Sequence, residues 1–99
     1  MTVKLKDAIV AFNLVDAKQI DSKQLFTGYS ELYKCNVYIS YRTIIAFYTG
    51  EEWWLTGEWF SRTTSSHKNE IRKLEKNIVI HEEYDFKVRL ERMAMLSLL

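Results

Sequence analysis

Cys35-Asn36-Val37-Tyr38-Ile39-Ser40-Tyr41-Arg42-Thr43-Ile44-Ile45-Ala46-Phe47-Tyr48-Thr49 is the stretch on which the reading of the fold turns. Val37, Ile39 and Tyr41 alternate with Tyr38, Ser40 and Arg42, and β-branched and aromatic residues continue to Tyr48, as on a pleated, half-buried surface. The pattern predicts one long or bent strand. Gly50-Glu51-Glu52 then supplies a turn and Trp53-Trp54-Leu55-Thr56 a returning strand, giving a hairpin over about 36–56. Two strands are marginal alone, so helices or further strands have to cover a face.

Outward from the hairpin, Leu5, Ala8, Ile9 and Phe12 recur at helical spacing and predict a helix over about 3–14, with Thr2 placed to cap it. Asp21-Ser22 ahead of Lys23-Gln24-Leu25-Phe26 suggests a short second helix or turn, ended by Thr27-Gly28. Ile71, Leu74 and Ile78 form a narrow apolar stripe on a helix over about 66–77, and Ile78-Val79-Ile80 fits a third strand. Phe86, Leu90, Met93 and Ser97 share one helical face. Phe86, Val88 and Leu90 also fit a strand, but the Leu, Met and Ala of residues 90–99 favour helix. Helices, then strands, then helices imply an α+β fold: a small antiparallel sheet covered by N-terminal and C-terminal helices, in a single domain over 1–99.

Composition agrees with a folded chain. Of 99 residues, 47% are hydrophobic, and 14 Lys plus Arg nearly cancel 13 Asp plus Glu, which excludes the low-hydrophobicity, high-charge signature of disorder. The single cysteine, Cys35, excludes an internal disulfide framework, and Met1 to Lys6 carry no signal-peptide pattern, so an intracellular protein is expected. No apolar run approaches the roughly 18 residues that cross a bilayer, and no membrane span is expected.

His67, His81, Cys35 and Glu82-Glu83 include metal-ligand residue types, but without His-x-x-x-His or Cys-x-x-Cys spacing; neither metal nor cofactor is expected. His67 near Ser61, Ser65 and Ser66 has the ingredients of a nucleophile and its base, yet no third orienting group is evident, and no enzyme is expected.

The corner at 61–68 carries more. A helix amino end exposes unpaired N–H groups and a partial positive charge, and Thr64, Ser65, Ser66, His67 and Lys68 would surround an anion there. Lys68, Arg72 and Lys76 repeat every four residues, with Lys73 beside them. Residues 62–76 hold five basic and two acidic side chains, a balance of +3, whereas residues 50–59 hold Glu51, Glu52 and Glu58 and no base, a balance of −3. The functional reading is contact with nucleic-acid phosphates through Arg62, Thr64, Ser66, His67, Lys68, Arg72, Lys73 and Lys76, with Trp or Tyr rings to stack on bases. The structural reading is a cap at Ser66 and a solvated face on which Arg72 pairs with Glu75. Trp53 and Trp54 point to opposite faces of a strand, so with Trp59 they are interface candidates unless both faces are covered. The apolar tail from Met93 to Leu99 either docks in the core or is handed to a second subunit.

Ser40-Tyr41-Arg42-Thr43-Ile44-Ile45-Ala46 and Ser61-Arg62-Thr63-Thr64-Ser65-Ser66-His67 read as Ser-Tyr-x-Thr-x-Ile-Ala and Ser-x-Thr-Thr-Ser-x-His. That pattern, over roughly residues 38–70, resembles small uncharacterised proteins of prokaryotic DNA viruses, including filamentous and rod-shaped viruses of thermophilic archaea. The resemblance implies a viral origin and action in the host cytoplasm, and brings no established activity. The expectation is therefore a small, non-enzymatic viral domain that binds nucleic acid; the alternative is a protein-interaction or homodimeric module using exposed aromatics and the apolar tail.

Overall fold

The computed structural model describes residues 3–20 and 24–96. The fold is α+β, with elements in the order α1 (Leu5–Phe12), β1 (Leu14–Gln19), β2 (Leu25–Ser30), β3 (Cys35–Ser40), β4 (Thr43–Tyr48), β5 (Trp53–Thr56), α2 (Arg62–Leu74), β6 (Ile78–His81) and α3 (Glu83–Leu96). The six strands form one sheet in sequence order. β1 to β5 are an antiparallel meander, and β6 returns parallel to β5 after crossing through α2. The antiparallel expectation thus holds for the meander and fails at β5 and β6, because a parallel neighbour needs the helical crossover that α2 provides.

The expected long strand is two strands. Ser40 pairs with Thr43 across the two-residue turn Tyr41-Arg42, and Tyr41 takes a left-handed φ of 57°. Past the turn, the register shifts between Tyr38 and Ile39 so that Ile45 is an extra residue in β4. That bulge explains the inner faces. Ile44 and Phe47 join the cluster with Val37 and Ile39, while Ile45 and Ala46 both turn to the opposite cluster with Tyr38.

The amino half differs more from expectation. α1 begins after Lys4, whose N–H donates to the Asp7 carboxylate at 3.0 Å, and ends at Asn13 in a left-handed conformation. Thr2, the expected cap, lies outside the described residues. Leu25 and Phe26 belong to β2 rather than to a second helix; the Asp21-Ser22 start of that helix also lies outside the described residues. Gly28 accounts for the close approach of β1, since a Cβ there would meet the Ala17 Cα at 3.1 Å.

Both faces of the central strands are covered. α1 and α3 lie over one, where Ala8, Phe26, Val37, Ile39, Phe47, Phe86 and Leu90 pack, with Phe86 edge-on to Phe47. α2 lies over the other, with Ile71 against Leu25, Tyr38, Ile45 and Leu55. Covering both faces explains the near-continuous apolar run of β4. The apolar stripe expected on α2 is shifted: Thr64, His67 and Ile71 are its buried residues, Leu74 is exposed, and Ile78 belongs to β6. α3 buries Phe86 and Leu90 and packs Met93 against the same cluster, as its spacing predicts; Ser97 lies outside the described residues.

Candidate nucleic-acid interface

The corner of hydroxyls resolves into two layers. Helix α2 starts at Arg62, earlier than the expected 66, because Ser61 is extended and its Oγ accepts from the Thr64 N–H at 3.2 Å. Ser61 is therefore the cap, and Ser66, expected in that role, lies in the second turn. Ser61 Oγ also donates to Thr64 Oγ1 at 3.2 Å, Thr64 Oγ1 lies 3.0 Å from Ser40 Oγ, and Ser40 Oγ lies 2.7 Å from His67 Nδ1. Ser40, Thr64 and His67 are each less than 5% exposed. This inner layer fastens α2 to β3 through a buried chain of hydroxyls that ends on the Nδ1 edge of the imidazole. The serine that meets His67 is Ser40, and solvent does not reach the pair.

At the other end of α2, Tyr38 donates its hydroxyl to the Glu75 carboxylate at 2.7 Å. Burial, then that carboxylate, push the Tyr38 phenol above its ordinary pKa. Glu75 is thus engaged with Tyr38, and the pair expected between Arg72 and Glu75 does not form. Lys68 is also held: its ammonium donates to the Glu58 carbonyl and lies 5.8 Å from the Phe60 ring centre. Burial lowers its pKa against the raising influence of the Glu58 carboxylate.

The outer layer is what remains open. Arg62, Ser66, Asn69 and Lys73 are exposed along one side of α2, with exposed Arg72 beside them and Lys76 just past the helix end. From Arg62 to Lys73 this row runs about 16 Å at the helical rise. None of Arg62, Arg72, Lys73 and Lys76 makes an ion pair among the described residues, where the ion pairs belong to Lys87 with Glu58 and Glu83. At the amino end of the row, Arg62, Thr63 and Ser66 line an open hollow with Gln24 and Tyr41. Sequence spacing missed Gln24, Tyr41 and Asn69 as candidates; the first two reach the hollow only because the β3–β4 turn and the start of β2 meet α2 in space. Of the eight residues expected at this site, Arg62, Ser66, Arg72, Lys73 and Lys76 are exposed, Thr64 and His67 are buried under them, and Lys68 is tied back to the β5–α2 loop. The charge sorting seen along the sequence is weaker in space, since Glu58 adjoins Lys68 and Lys87, and the Glu51 carbonyl accepts from Asn77 next to Lys76.

The tryptophans divide in the same way. Trp53 packs on Tyr38 and Tyr48, with ring centres 5.0 and 5.5 Å apart, on the α2 face. Trp54 stacks on His81 at 3.5 Å and 14° and lies against Phe47 and Arg89 on the α3 face. With both faces covered, these two serve the fold, whereas Trp59, 70% exposed, stands in the loop just before Ser61. Cys35 is buried and its thiol is pushed up to about 12 by that burial, which leaves it protonated and unreactive near neutral pH. Among the described residues no three metal-ligating side chains cluster, and no helix is long and apolar enough to cross a membrane.

These features define a class: a small α+β domain whose antiparallel meander is closed by one parallel strand–helix–strand unit. Residues 12–87, from the end of α1 into the first turns of α3, match a family described as a family of unknown function, DUF8033, and the chain belongs to that family. No curated protein and no solved structure matches the chain.

Proposed function

We propose that this domain binds the phosphate backbone of nucleic acid along the outer face of α2. The observation that carries the reading is the row Arg62, Ser66, Asn69 and Lys73, exposed together with Arg72 and without ion pairing among the described residues. Basic side chains without acidic partners contribute to phosphate binding by releasing counterions, and hydroxyl and amide groups between them donate hydrogen bonds to phosphate oxygens. Trp59 supplies an exposed ring at the amino end of the row on which an unpaired base can stack. A net charge of +1 gives little long-range attraction, so affinity rests on this local patch and is modest. The function is binding without catalysis, in the viral setting that the sequence resemblance implies.

The reading is tested by titrating single- and double-stranded DNA at low and moderate salt. Binding that weakens steeply with salt and is reduced in Arg62→Ala/Lys73→Ala supports it; no binding at low salt refutes it. Trp59→Ala separates the substrates, weakening single-stranded binding and leaving double-stranded binding nearly unchanged.

A further inference from the structure

The two edges of the sheet are built differently. At β1 the pairing with β2 is interrupted between Val15 and Lys18, Asp16 adopts a left-handed φ of 53°, and charged side chains line the strand. Such irregularity and charge keep other strands from adding to an edge. β6 has none of these devices: its sequence is Ile78-Val79-Ile80-His81, regular and parallel to β5, with Val79 39% and Ile80 51% exposed. α2 packs on β3 and α3 on β5, both inboard of this edge.

The hydrogen-bond phase of β6 fixes what it presents. The Trp53 N–H donates to the Asn77 carbonyl and the Gly57 N–H to the His81 carbonyl, both at 2.7 Å. Residues that face a parallel neighbour alternate, so Asn77, Val79 and His81 turn their backbone groups to β5, while Ile78 and Ile80 turn theirs outward. The strand is bounded by Lys76 on one side and Glu82 on the other, both exposed and neither ion-paired among the described residues.

We infer that β6 is a self-pairing edge, through which two copies of this chain join antiparallel about a two-fold axis at Val79. In that register Ile78 of one copy lies opposite Ile80 of the other, and these outward-facing residues exchange their N–H and carbonyl groups. Lys76 lies opposite Glu82, and Val79 meets its own copy on the axis. Neighbouring symmetric registers set Ile78 against Glu82, or Lys76 against Ile80, and parallel addition sets Lys76 against Lys76. Only one arrangement therefore satisfies the backbone phase, the apolar pairs and the charges together. The axis is perpendicular to the sheet and keeps both α2 helices on the same face. The inference stands on β6 and its flanks alone, independently of what α2 binds.

Sedimentation equilibrium of the intact chain at low salt, up to about 1 mM because a single strand pair makes a small interface, reads the mass directly. A rise from the 11.8 kDa monomer toward twice that mass is expected. Lys76→Glu should weaken the dimer about tenfold, and Lys76→Glu/Glu82→Lys should restore it. Ile80→Pro removes an outward N–H that the monomer does not use, and should abolish the dimer while leaving the fold intact. A strict monomer at the highest concentration overturns the inference, as does a dimer unaffected by Ile80→Pro and Lys76→Glu. A dimer weakened by Lys76→Glu but not rescued by the double swap overturns the register.

Discussion

Ser40→Ala is the sharpest probe of how helix α2 is held to strand β3. The Ser40 hydroxyl lies 3.0 Å from Thr64 Oγ1 and 2.7 Å from His67 Nδ1, and all three residues are sealed from water. Deleting it removes two hydrogen bonds, each contributing about 1 kcal/mol net, and leaves His67 Nδ1 buried without that partner, which costs roughly 1–3 kcal/mol more. The expected loss is about 3–5 kcal/mol, or a Tm lowered by roughly 12–40 °C for a domain of this size. Urea unfolding followed by tryptophan fluorescence reads it. Thr64→Val keeps the shape while removing the other hydroxyl, and a double-mutant cycle with Ser40→Ala should return a coupling of about 1 kcal/mol. A Ser40→Ala protein within about 0.5 kcal/mol of the parent would show that α2 is not fastened this way.

Other consequences are equally direct. Ser61→Ala should cost about 1 kcal/mol through loss of the α2 cap, whereas Ser66→Ala should stay within about 0.5 kcal/mol; thermal melts of the pair decide which serine caps the helix. Gly28→Ala should destabilise by about 1–3 kcal/mol, since its Cβ would press on the Ala17 backbone, and faster amide exchange in β1 should accompany the loss. Stability should fall above about pH 9. The Cys35 thiol, raised from 9.0 to about 12, and the raised Tyr38 phenol keep their protons in the fold while the unfolded chain releases them. The unfolded state then binds fewer protons, so the slope of stability with pH is negative, at most about 1.4 kcal/mol per pH unit for each group. Cys35→Ala should flatten the onset of that decline, and a profile flat from pH 8 to 11 would contradict it.

The α+β class, α1, the β5 strand, β6 and α3 were legible in the sequence because each rests on apolar periodicity over its own residues. The β3–β4 turn was not, since hairpin turns are usually read from Gly, Asn or Asp, and here Tyr41 occupies the left-handed position. Lys34 does the same before β3, and Gln24 before β2. A chain with three glycines and no proline places ordinary side chains at positive φ, at roughly 1–2 kcal/mol each, and the cost leaves no mark in composition. β1 and β2 were missed for a related reason: β2 is buried on both faces, and β1 is an irregular edge, so neither alternates cleanly.

The corner at 61–68 was legible as a strand-to-helix junction but not as two layers. Thr64 and His67 read as surface groups because they are polar, whereas their partner Ser40 lies far away in sequence and only the sheet brings it beneath α2. Burying polar side chains on that stripe leaves Arg62, Ser66, Asn69 and Lys73 to face outward, a division the charge pattern alone did not resolve. The basic residues that matter are thus defined by what they do not touch.

The most direct test of the central reading is the slope of log affinity for DNA against log salt, for the parent and for Arg62→Ala/Lys73→Ala. If α2 contacts phosphates through these side chains, the parent slope is negative and the double variant flattens it by about 1.4–1.8, two contacts' worth of released counterions. An unchanged slope in the variant, or DNA affinity independent of salt in the parent, would contradict it.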